Sequence, residues 1–266
     1  LLTASRAGAT WSTLLSGETV LHLEEAGSTN DEAMTLVREG TAPVWVRADR
    51  QVAGRGRRAR HWVSDEGNLY TSYGFTAALH TDAFGLLPLT AGLALGDAID
   101  AVADVAISQK WPNDVLIDGK KVSGILLETE LGSARPGVDP AQAPQRRIVI
   151  GLGVNVAHHP DDLPATHLTV HDPTITADTL FGALSAALPR RLTALTGPGG
   201  VTQTRRDWLD RAVGLGETIV VRFDGHEKEG RFKDLDPSGR LILEEKSGAL
   251  ATISAGDVFV RATETL

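Results

Sequence analysis

The 266-residue sequence contains no cysteine, few aromatic residues and no long apolar run. Without cysteine the chain cannot form a disulfide, bind a metal through thiolates or use a cysteine nucleophile. No apolar stretch approaches the roughly 20 residues that a membrane-spanning helix needs. Residues 1–18 also lack the sustained apolar segment of a signal peptide. We therefore expect a cytoplasmic protein with no membrane partner.

The chain is acidic overall, and its formal net charge of −8 argues against nucleic-acid binding through bulk charge. Its hydrophobic share of 42% predicts a globular protein, and its length allows one large core plus a small domain. One segment departs from the acidic background, because six arginines fall within residues 47–60. They are Arg47, Arg50, Arg55, Arg57, Arg58 and Arg60. Such a segment predicts a focused anion-binding site.

Apolar periodicity in the first 213 residues predicts a mixed α/β domain. Strands are predicted at 19–25, 43–48, 68–76, 115–117, 120–128 and 147–156. A first helix is predicted to end at residue 38, and further helices are predicted at 87–105, 177–196 and 202–213. Thr29 and Glu32 fit a capping box at the first helix. Asp118-Gly119 between two apolar runs predicts a hairpin with a type I′ turn. Segment 131–147, rich in Pro, Ala, Gly and Gln, is expected to be a mobile insertion.

The character of the sequence changes at Gly214. Short strands are predicted at 217–223, 227–234, 240–245 and 250–260, separated by glycine-containing turn signals. Short, evenly spaced strands of this kind are typical of a small β-barrel. We therefore predict an α/β domain at 1–213 and a small all-β domain at 214–266.

The segment Gly54 to Arg60 (GRGRRAR) combines glycines with arginines. Glycines let the backbone approach a ligand closely, and guanidinium groups bind phosphate or carboxylate oxygens in a bidentate manner. The Walker pattern is absent from the chain. The segment matches G-x-G-x-x-A, but that fingerprint requires a helix directly afterwards, and here a strand is predicted. A small-ligand phosphate loop is favoured over two alternatives, a solvated surface loop and a nucleic-acid contact.

Lys121 lies just past the predicted hairpin turn. An isolated lysine at the start of a strand is usually solvent-exposed, but Ser123-Gly124 permits a ligand to approach here. The preceding segment 110–114 (KWPND) favours a turn that would hold Lys110 and Asp114 in place. Trp111 within this segment is as compatible with ordinary packing in the core as with a role in a ligand site.

Two other polar groups are ambiguous. Asn155 ends a glycine-punctuated strand and could contact a purine edge or satisfy backbone groups. The histidines and aspartates of 158–172 could form a metal site, but they lack an HExxH pattern and are interrupted by prolines, which favours a polar loop. They are His158, His159, Asp161, Asp162, His167, His171 and Asp172. There is no G-x-S-x-G motif to support a serine hydrolase.

Three motifs together resemble bacterial biotin protein ligases. They are GRGRRARHW (54–62), KWPNDVLIDGKKVSGILLE (110–128) and GLGVNV (151–156), supported by STN at 28–30 and GNLY at 67–70. The middle motif is the most specific, because so many positions rarely match together by chance. The resemblance implies a mixed central sheet with flanking helices, the catalytic fold related to lipoate ligases and class II aminoacyl-tRNA synthetases. It also implies an SH3-like C-terminal barrel.

The resemblance implies a two-step reaction with biotin, ATP and Mg²⁺. Biotin and ATP form biotinyl-5′-AMP, and biotin then passes to a lysine of the biotin carboxyl carrier domain of an acyl-CoA carboxylase. Fixed cations can stabilise both steps without a protein nucleophile, which agrees with the missing cysteine and serine motifs. The sequence leaves both a monomer and a homodimer open.

The resemblance also assigns residues to roles. Arg55, Arg57 and Lys121 match catalytic positions, with Arg57 the strongest candidate in a loop that closes over the adenylate. Biotin-binding positions are Ser28, Thr29, Asn30, Gln51, Gly54, Arg57, Lys121, Gly124, Ile125 and Leu126. Adenylate-binding positions are Arg55, Arg58, Arg60, Trp62, Asn68, Asn113, Lys121 and Asn155. Asp114 matches a position that faces the acceptor protein, and no metal ligand is assigned.

The chain departs from the family pattern in two places. Ala59 stands where many members have glycine, which we expect to stiffen the loop slightly. Residues 1–18 leave no room for the N-terminal helix-turn-helix domain of the family's repressors, so we expect ligation without transcriptional regulation and no DNA partner. A lipoate protein ligase and a nucleic-acid-binding module are the alternative functions.

Overall fold

A computed structural model describes residues 8–132, 145–223 and 225–260. The strands are β1 (Ala9–Thr13), β2 (Thr19–Ala26), β3 (Val44–Gln51), β4 (Leu69–Ala78), β5 (Ser108–Lys110), β6 (Asp114–Ile117), β7 (Lys120–Leu131), β8 (Gln145–Val154), β9 (Thr218–Phe223), β10 (His226–Leu235), β11 (Leu241–Glu244), β12 (Leu250–Ile253) and β13 (Asp257–Val260). The helices are α1 (Thr29–Arg38), α2 (Thr81–Gly85), α3 (Leu87–Val102), α4 (Leu168–His171), α5 (Ala177–Thr196) and α6 (Gly200–Leu209).

The first eight strands form one mixed sheet in the order β1-β2-β3-β4-β8-β7-β6-β5. Strands β2 and β3 run parallel, since α1 connects them, and the other neighbours are antiparallel. The predicted mixed α/β architecture is confirmed. This order places β7 beside β8 and joins the sequence blocks 110–128 and 145–156.

Helices cover both faces of this sheet, and β3 shows why. Side chains alternate along a strand, so Val44 and Val46 face α1 in one buried cluster. Trp45 faces the other side, where its ring centroid lies 5.5 Å from that of Phe181 in α5. Strand β3 is therefore apolar on both faces and lies inside the fold, where it fixes the segment that follows it.

The last five strands form an antiparallel sheet in the order β12-β11-β10-β9-β13, here called the C-terminal sheet. It packs against the first part of the chain. Nε1 of the buried Trp111 donates a hydrogen bond to the Gly239 carbonyl at 3.0 Å. Arg205 of α6 lies 3.2 Å from Asp234 of β10. The all-β character predicted for this region is confirmed, while the exact boundary at residue 214 remains a prediction.

Some of the predictions for individual turns, caps and strands are confirmed, and others are wrong. The hairpin turn is confirmed, because Asp118 and Gly119 both have positive φ, at 49° and 72°. The capping box is wrong, since Ser28 is the N-cap of α1 and the Thr29 hydroxyl binds Gln51 instead. Strands β1 and β5 were not predicted, and the single strand predicted at 250–260 is divided at 254–256. Of the predicted insertion 131–147, residues 133–144 lie outside the described residues.

Within the described part of the chain, no helix is both long and apolar enough to cross a membrane.

Candidate active site

The candidate active site is a cavity of about 230 Å³ between the central sheet, the start of α1 and the arginine loop, residues 54–60. Many of the residues singled out in the sequence line it: Ser28, Thr29, Asn30, Gln51, Arg55, Arg57, Arg60, Trp62, Asn113, Asp114, Lys121, Gly124, Ile125 and Leu126. The lining is completed by Gly56, His61, Gly151, Leu152, Gly153, Leu163 and Asp257. Residues far apart in the sequence thus meet in one cavity, while the ligand assigned to each remains a prediction.

Glycines form the floor of the cavity where β7 pairs with β8. Gly124 lies opposite Gly153 in this pair. A Cβ atom at Gly153 would lie 2.5 Å from Nε1 of Trp62, and one at Gly124 would lie 3.1 Å from the Trp62 ring. A Cβ atom at Gly151 would overlap Oδ1 of Asn30. Glycine is required here because an aromatic ring and an amide lie directly against the backbone.

Buried hydroxyl and amide groups form the wall on the α1 side. Oε1 of Gln51 accepts hydrogen bonds from the backbone N–H and the hydroxyl of Thr29, at 2.8 and 3.2 Å. The hydroxyl of Ser72 lies 2.8 Å from the Thr29 hydroxyl and 2.6 Å from Oδ1 of Asn30. Since every member has a partner, this network holds Thr29 and Asn30 in one orientation.

Glu128 connects this wall to the arginine loop. One of its oxygens accepts a hydrogen bond from Nδ2 of Asn30 at 2.7 Å, and the other lies 3.4 Å from Arg55. Arg55 also donates to both oxygens of Asp31, at 2.6 and 2.7 Å. This hydrogen bonding raises the pKa of Arg55 above its ordinary value and lowers the pKa of the Asp31 carboxyl. Arg55 therefore ties the start of the loop to α1 and β7.

Arg57 differs from its neighbours in the loop, because no carboxylate among the described residues lies within ion-pair distance of its guanidinium. It donates hydrogen bonds to Oδ1 of Asn113 at 3.1 Å and to the carbonyl of Gly256 at 3.3 Å. Burial lowers the pKa of Arg57 below its ordinary value, although arginine stays charged at neutral pH. A half-buried guanidinium without a paired carboxylate is well suited to bind a phosphate or carboxylate oxygen.

The end of the loop contacts the C-terminal sheet. Arg60 donates to both oxygens of Asp257, at 2.8 and 2.9 Å, and Arg58 lies 3.7 Å from the same carboxylate. Arg58 and Ala59 have φ values of 56° and 55°, in the left-handed region. Glycine is favoured there because it lacks a Cβ atom. Ala59 therefore occupies a backbone conformation that glycine would adopt more easily.

Lys121 reaches the cavity from the start of β7. Its Nζ lies 2.6 Å from Oδ1 of Asp114 and 5.3 Å from the centre of the Trp62 ring. Its backbone N–H donates to the Pro164 carbonyl at 3.0 Å, and its carbonyl accepts from the N–H of Thr166 at 2.9 Å. These contacts fix both the backbone and the ammonium group. Lys121 is thus a positioned cation and not a freely moving surface lysine.

The turn at 111–113 places two further residues. Nδ2 of Asn113 donates to the Ile125 carbonyl at 2.7 Å, and the Asn113 carbonyl accepts from the Ile125 N–H at 3.0 Å. The Asn113 amide is therefore oriented with its Oδ1 toward Arg57. Trp111 is 3% exposed and belongs to the main core, so ordinary packing accounts for it.

Comparisons with known proteins identify the family. A model of the biotin/lipoate A/B protein ligase family matches residues 27–138, and a model of the biotin protein ligase C-terminal domain matches residues 214–261. The biotin–[acetyl-CoA-carboxylase] ligase of Paracoccus denitrificans is 37% identical over 251 residues, which cover 89% of this chain and 98% of that protein. The chain belongs to the biotin protein ligase family.

Solved biotin protein ligases share the fold. The Aquifex aeolicus enzyme, in a complex with biotin and ATP, aligns with a TM-score of 0.74 at 24% identity, over 92% of this chain and 99% of that chain. The Leishmania major enzyme, in a complex with biotinyl-5-AMP, aligns with a TM-score of 0.60 at 25% identity, over 89% of this chain and 98% of that chain. These alignments extend over both the central sheet and the C-terminal sheet.

Four positions that the family resemblance assigns to ligands do not line the cavity of this biotin protein ligase: Gly54, Arg58, Asn68 and Asn155. Gly54 is the buried first residue of the loop, and a Cβ atom there would be 2.5 Å from Oγ of Ser64. Nδ2 of the buried Asn155 donates to the Thr166 carbonyl at 3.1 Å. In this structure Asn155 thus supports the segment that holds Lys121, and its proposed adenosine contact stays a prediction.

Several residues that line the cavity could not be predicted from the sequence, for different reasons. Gly151 and Gly153 lie in the quoted GLGVNV motif, so their spacing was visible but their contact with Asn30 and Trp62 was not. Asp257 had no sequence signal, because it reaches the cavity only through the packing of the C-terminal sheet.

The histidines of 158–172 form local polar contacts. Nδ1 of His159 lies 2.7 Å from Nδ1 of His167, and burial lowers the pKa of His167. Nε2 of His171 lies 3.1 Å from the Thr166 hydroxyl. Within residues 8–132, 145–223 and 225–260, no three histidine, aspartate or glutamate side chains are placed to hold one metal ion.

Asn68 organises the backbone after β8. Its Oδ1 accepts hydrogen bonds from the N–H groups of Val156, Ala157 and His158, at 2.8, 2.9 and 3.3 Å. Nδ2 donates to the His158 carbonyl at 3.1 Å. Asn68 is 5% exposed, so water cannot readily replace these bonds.

We predict that Asn68→Ala lowers the free energy of unfolding by about 2 kcal/mol, because one buried and two partly buried N–H groups lose their acceptor. Asn68→Asp keeps the accepting oxygens and loses only the donor, so it should be clearly less destabilising. Urea denaturation followed by circular dichroism measures both variants. An aspartate variant at least as unstable as the alanine variant would contradict this role.

Proposed function

We propose that this chain is an ATP-dependent biotin protein ligase that forms biotinyl-5′-AMP and transfers biotin to a lysine of a biotin carboxyl carrier domain of an acyl-CoA carboxylase. The observation that carries the proposal is the meeting of two cations in one cavity: Arg57, which lacks a paired carboxylate among the described residues, and the positioned Lys121. Two cations at one site suit a reaction in which a carboxylate must approach a phosphate.

In the first step, a carboxylate oxygen of biotin attacks the α-phosphorus of ATP, and the bond to the bridging oxygen breaks to release pyrophosphate. Both reactants are anions, so their approach is opposed by charge repulsion. Arg57 and Lys121 lower this repulsion, and they stabilise the charge on the phosphoryl oxygens because they are already held in place. No protein nucleophile is required.

In the second step, the acceptor lysine attacks the acyl carbon of the mixed anhydride as a neutral amine. An amide bond forms, the bond to the AMP oxygen breaks, and the nitrogen loses a proton. The amine must reach the cavity from outside. Asp114 lies at the cavity next to Lys121, and its side chain is 21% exposed. This placement supports the prediction that Asp114 faces the acceptor protein.

The remaining lining suits a small carboxylic acid whose other groups are uncharged. Thr29, Asn30 and Gln51 supply oriented hydrogen-bonding groups, and Ile125 and Leu126 supply apolar surface. A ureido ring and an aliphatic chain require this combination. Biotin fits it better than a phosphate-rich ligand alone would.

Magnesium is expected with ATP, but the described residues contain no three-member ligand cluster that would hold it. A magnesium ion commonly keeps several waters and binds through substrate phosphates.

The proposal is tested by exchange of labelled pyrophosphate into ATP, which reports adenylate formation. We expect exchange that depends on biotin. Exchange with lipoate but not biotin would change the substrate, and no exchange with either acid would contradict adenylate chemistry.

We predict that Lys121→Ala reduces biotin-dependent exchange by about 100-fold or more, since a fixed cation at the reacting oxygens is lost. Its partly exposed ion pair with Asp114 contributes at most about 1 kcal/mol, so the fold should survive. Lys120→Ala is the matched control, because Lys120 is an exposed neighbour and does not line the cavity. Near-normal exchange in Lys121→Ala would remove it from the catalytic residues.

Arg57→Gln should separate activity from stability. Loss of its charge should lower exchange by about 100-fold. The melting temperature of the ligand-free protein should fall by no more than about 5 °C, because only the hydrogen bonds to Asn113 and Gly256, and no ion pair with a described residue, are lost. Differential scanning calorimetry and the exchange assay measure the two effects. A large fall in melting temperature that parallels the fall in activity would show Arg57 to be structural.

A further inference from the structure

We propose that Asp257, in the C-terminal sheet, is a positioning residue that holds the arginine loop closed at its far end. Arg55 ties the start of this loop to Asp31 and Glu128. Asp257 ties its end through Arg60 and, more weakly, Arg58. Arg57 lies between the two attachment points. The inference rests on the proposed function, because it assigns this loop to the binding of adenylate.

The contact between Asp257 and Arg60 has the geometry of a specific bond. Nη2 of Arg60 lies 2.9 and 2.8 Å from the two carboxylate oxygens. Charge-assisted hydrogen bonds of this length are stronger than neutral ones. The adjacent Gly256 carbonyl accepts from Arg57 at 3.3 Å. The carbonyl of Gly256, in the turn between β12 and β13, and the carboxylate of Asp257, the first residue of β13, therefore contact successive parts of the loop.

The strand that carries Asp257 is itself fixed against the rest of the protein. Asp257 pairs with Arg222 of β9 in the antiparallel sheet. Two residues later, the Phe259 ring lies 5.4 Å from Nζ of Lys110, which ends β5 in the central sheet. The guanidinium of Arg222 lies 4.4 Å from the same ring. Asp257 is thus anchored both to its own sheet and to the block that leads to Asn113.

The charge of Asp257 also needs an explanation, since this residue lines a cavity that must receive two anions. An unpaired carboxylate there would repel biotin and ATP. Paired with Arg60, it is neutralised, and it keeps Arg58 and Arg60 at the rim of the cavity. Without Asp257 these arginines would be free to move, and Arg57 would lose the rigid loop that presents it.

The test compares Asp257→Asn with Asp234→Asn. Asp234 is a matched control because it also lies in the C-terminal sheet and pairs with an arginine of the first part of the chain, Arg205, without lining the cavity. Hydrogen–deuterium exchange of the amides in 54–65 is measured on each ligand-free protein. The KM for ATP and kcat are measured by biotin-dependent pyrophosphate exchange.

We expect Asp257→Asn to speed amide exchange in 54–65 and to raise the KM for ATP by about tenfold, with a smaller effect on kcat. Asp257→Glu should restore much of the loss, and Asp234→Asn should leave both readouts at wild-type values. In an Arg60→Gln background, Asp257→Asn should add little, because its main partner is already gone.

Unchanged amide exchange in Asp257→Asn would overturn the proposal, as would equal effects of Asp234→Asn, which would mean that any contact between the sheets suffices. The proposed function and the proposed role of Asp257 can be disproved independently. Absence of biotin-dependent exchange in the wild type would contradict the proposed function, whereas the amide measurement would still decide whether Asp257 holds the loop.

Discussion

The site depends on a patch of the central sheet where β7 and β8 carry no side chains. Gly124, Gly151 and Gly153 leave room for Trp62 and Asn30 to lie directly on the backbone. Those two side chains then define the depth of the cavity. Any Cβ atom at these glycines would push the arginine loop or α1 outward, because the neighbouring atoms already lie at contact distance. The position of the charged groups above follows from this floor.

Above that floor lie several arginine and lysine side chains, and most of them are paired with carboxylates. Arg55, Lys121 and Arg60 are each paired with a carboxylate from a different element. Pairing offsets the mutual repulsion of clustered cations and fixes their side chains before a ligand arrives. Arg57, which has no such partner among the described residues, remains available to an incoming anion. The same logic explains why a carboxylate of the C-terminal sheet is tolerated at the rim.

The sequence predicted what depends on local patterns. The Asp118-Gly119 turn, the 177–196 helix and the basic loop could be located because periodicity, turn chemistry and charge are local properties. Contacts that depend on packing between distant residues could not be predicted in this way. Thr29 looked like a helix cap, yet a glutamine from β3 binds its hydroxyl. Asp257 is distant from the loop in sequence, so only the docking of the C-terminal sheet reveals its contact with Arg60.

The central claim is that one preformed cavity receives the biotin half and the AMP half of biotinyl-5′-AMP together. Isothermal titration calorimetry with biotin, with ATP, and with a non-hydrolysable biotinyl-adenylate analogue tests it most directly. The account predicts that the analogue binds with one-to-one stoichiometry and at least about 100-fold more tightly than either substrate alone, because both halves share one preorganised site. Binding of the analogue no tighter than that of biotin would contradict it.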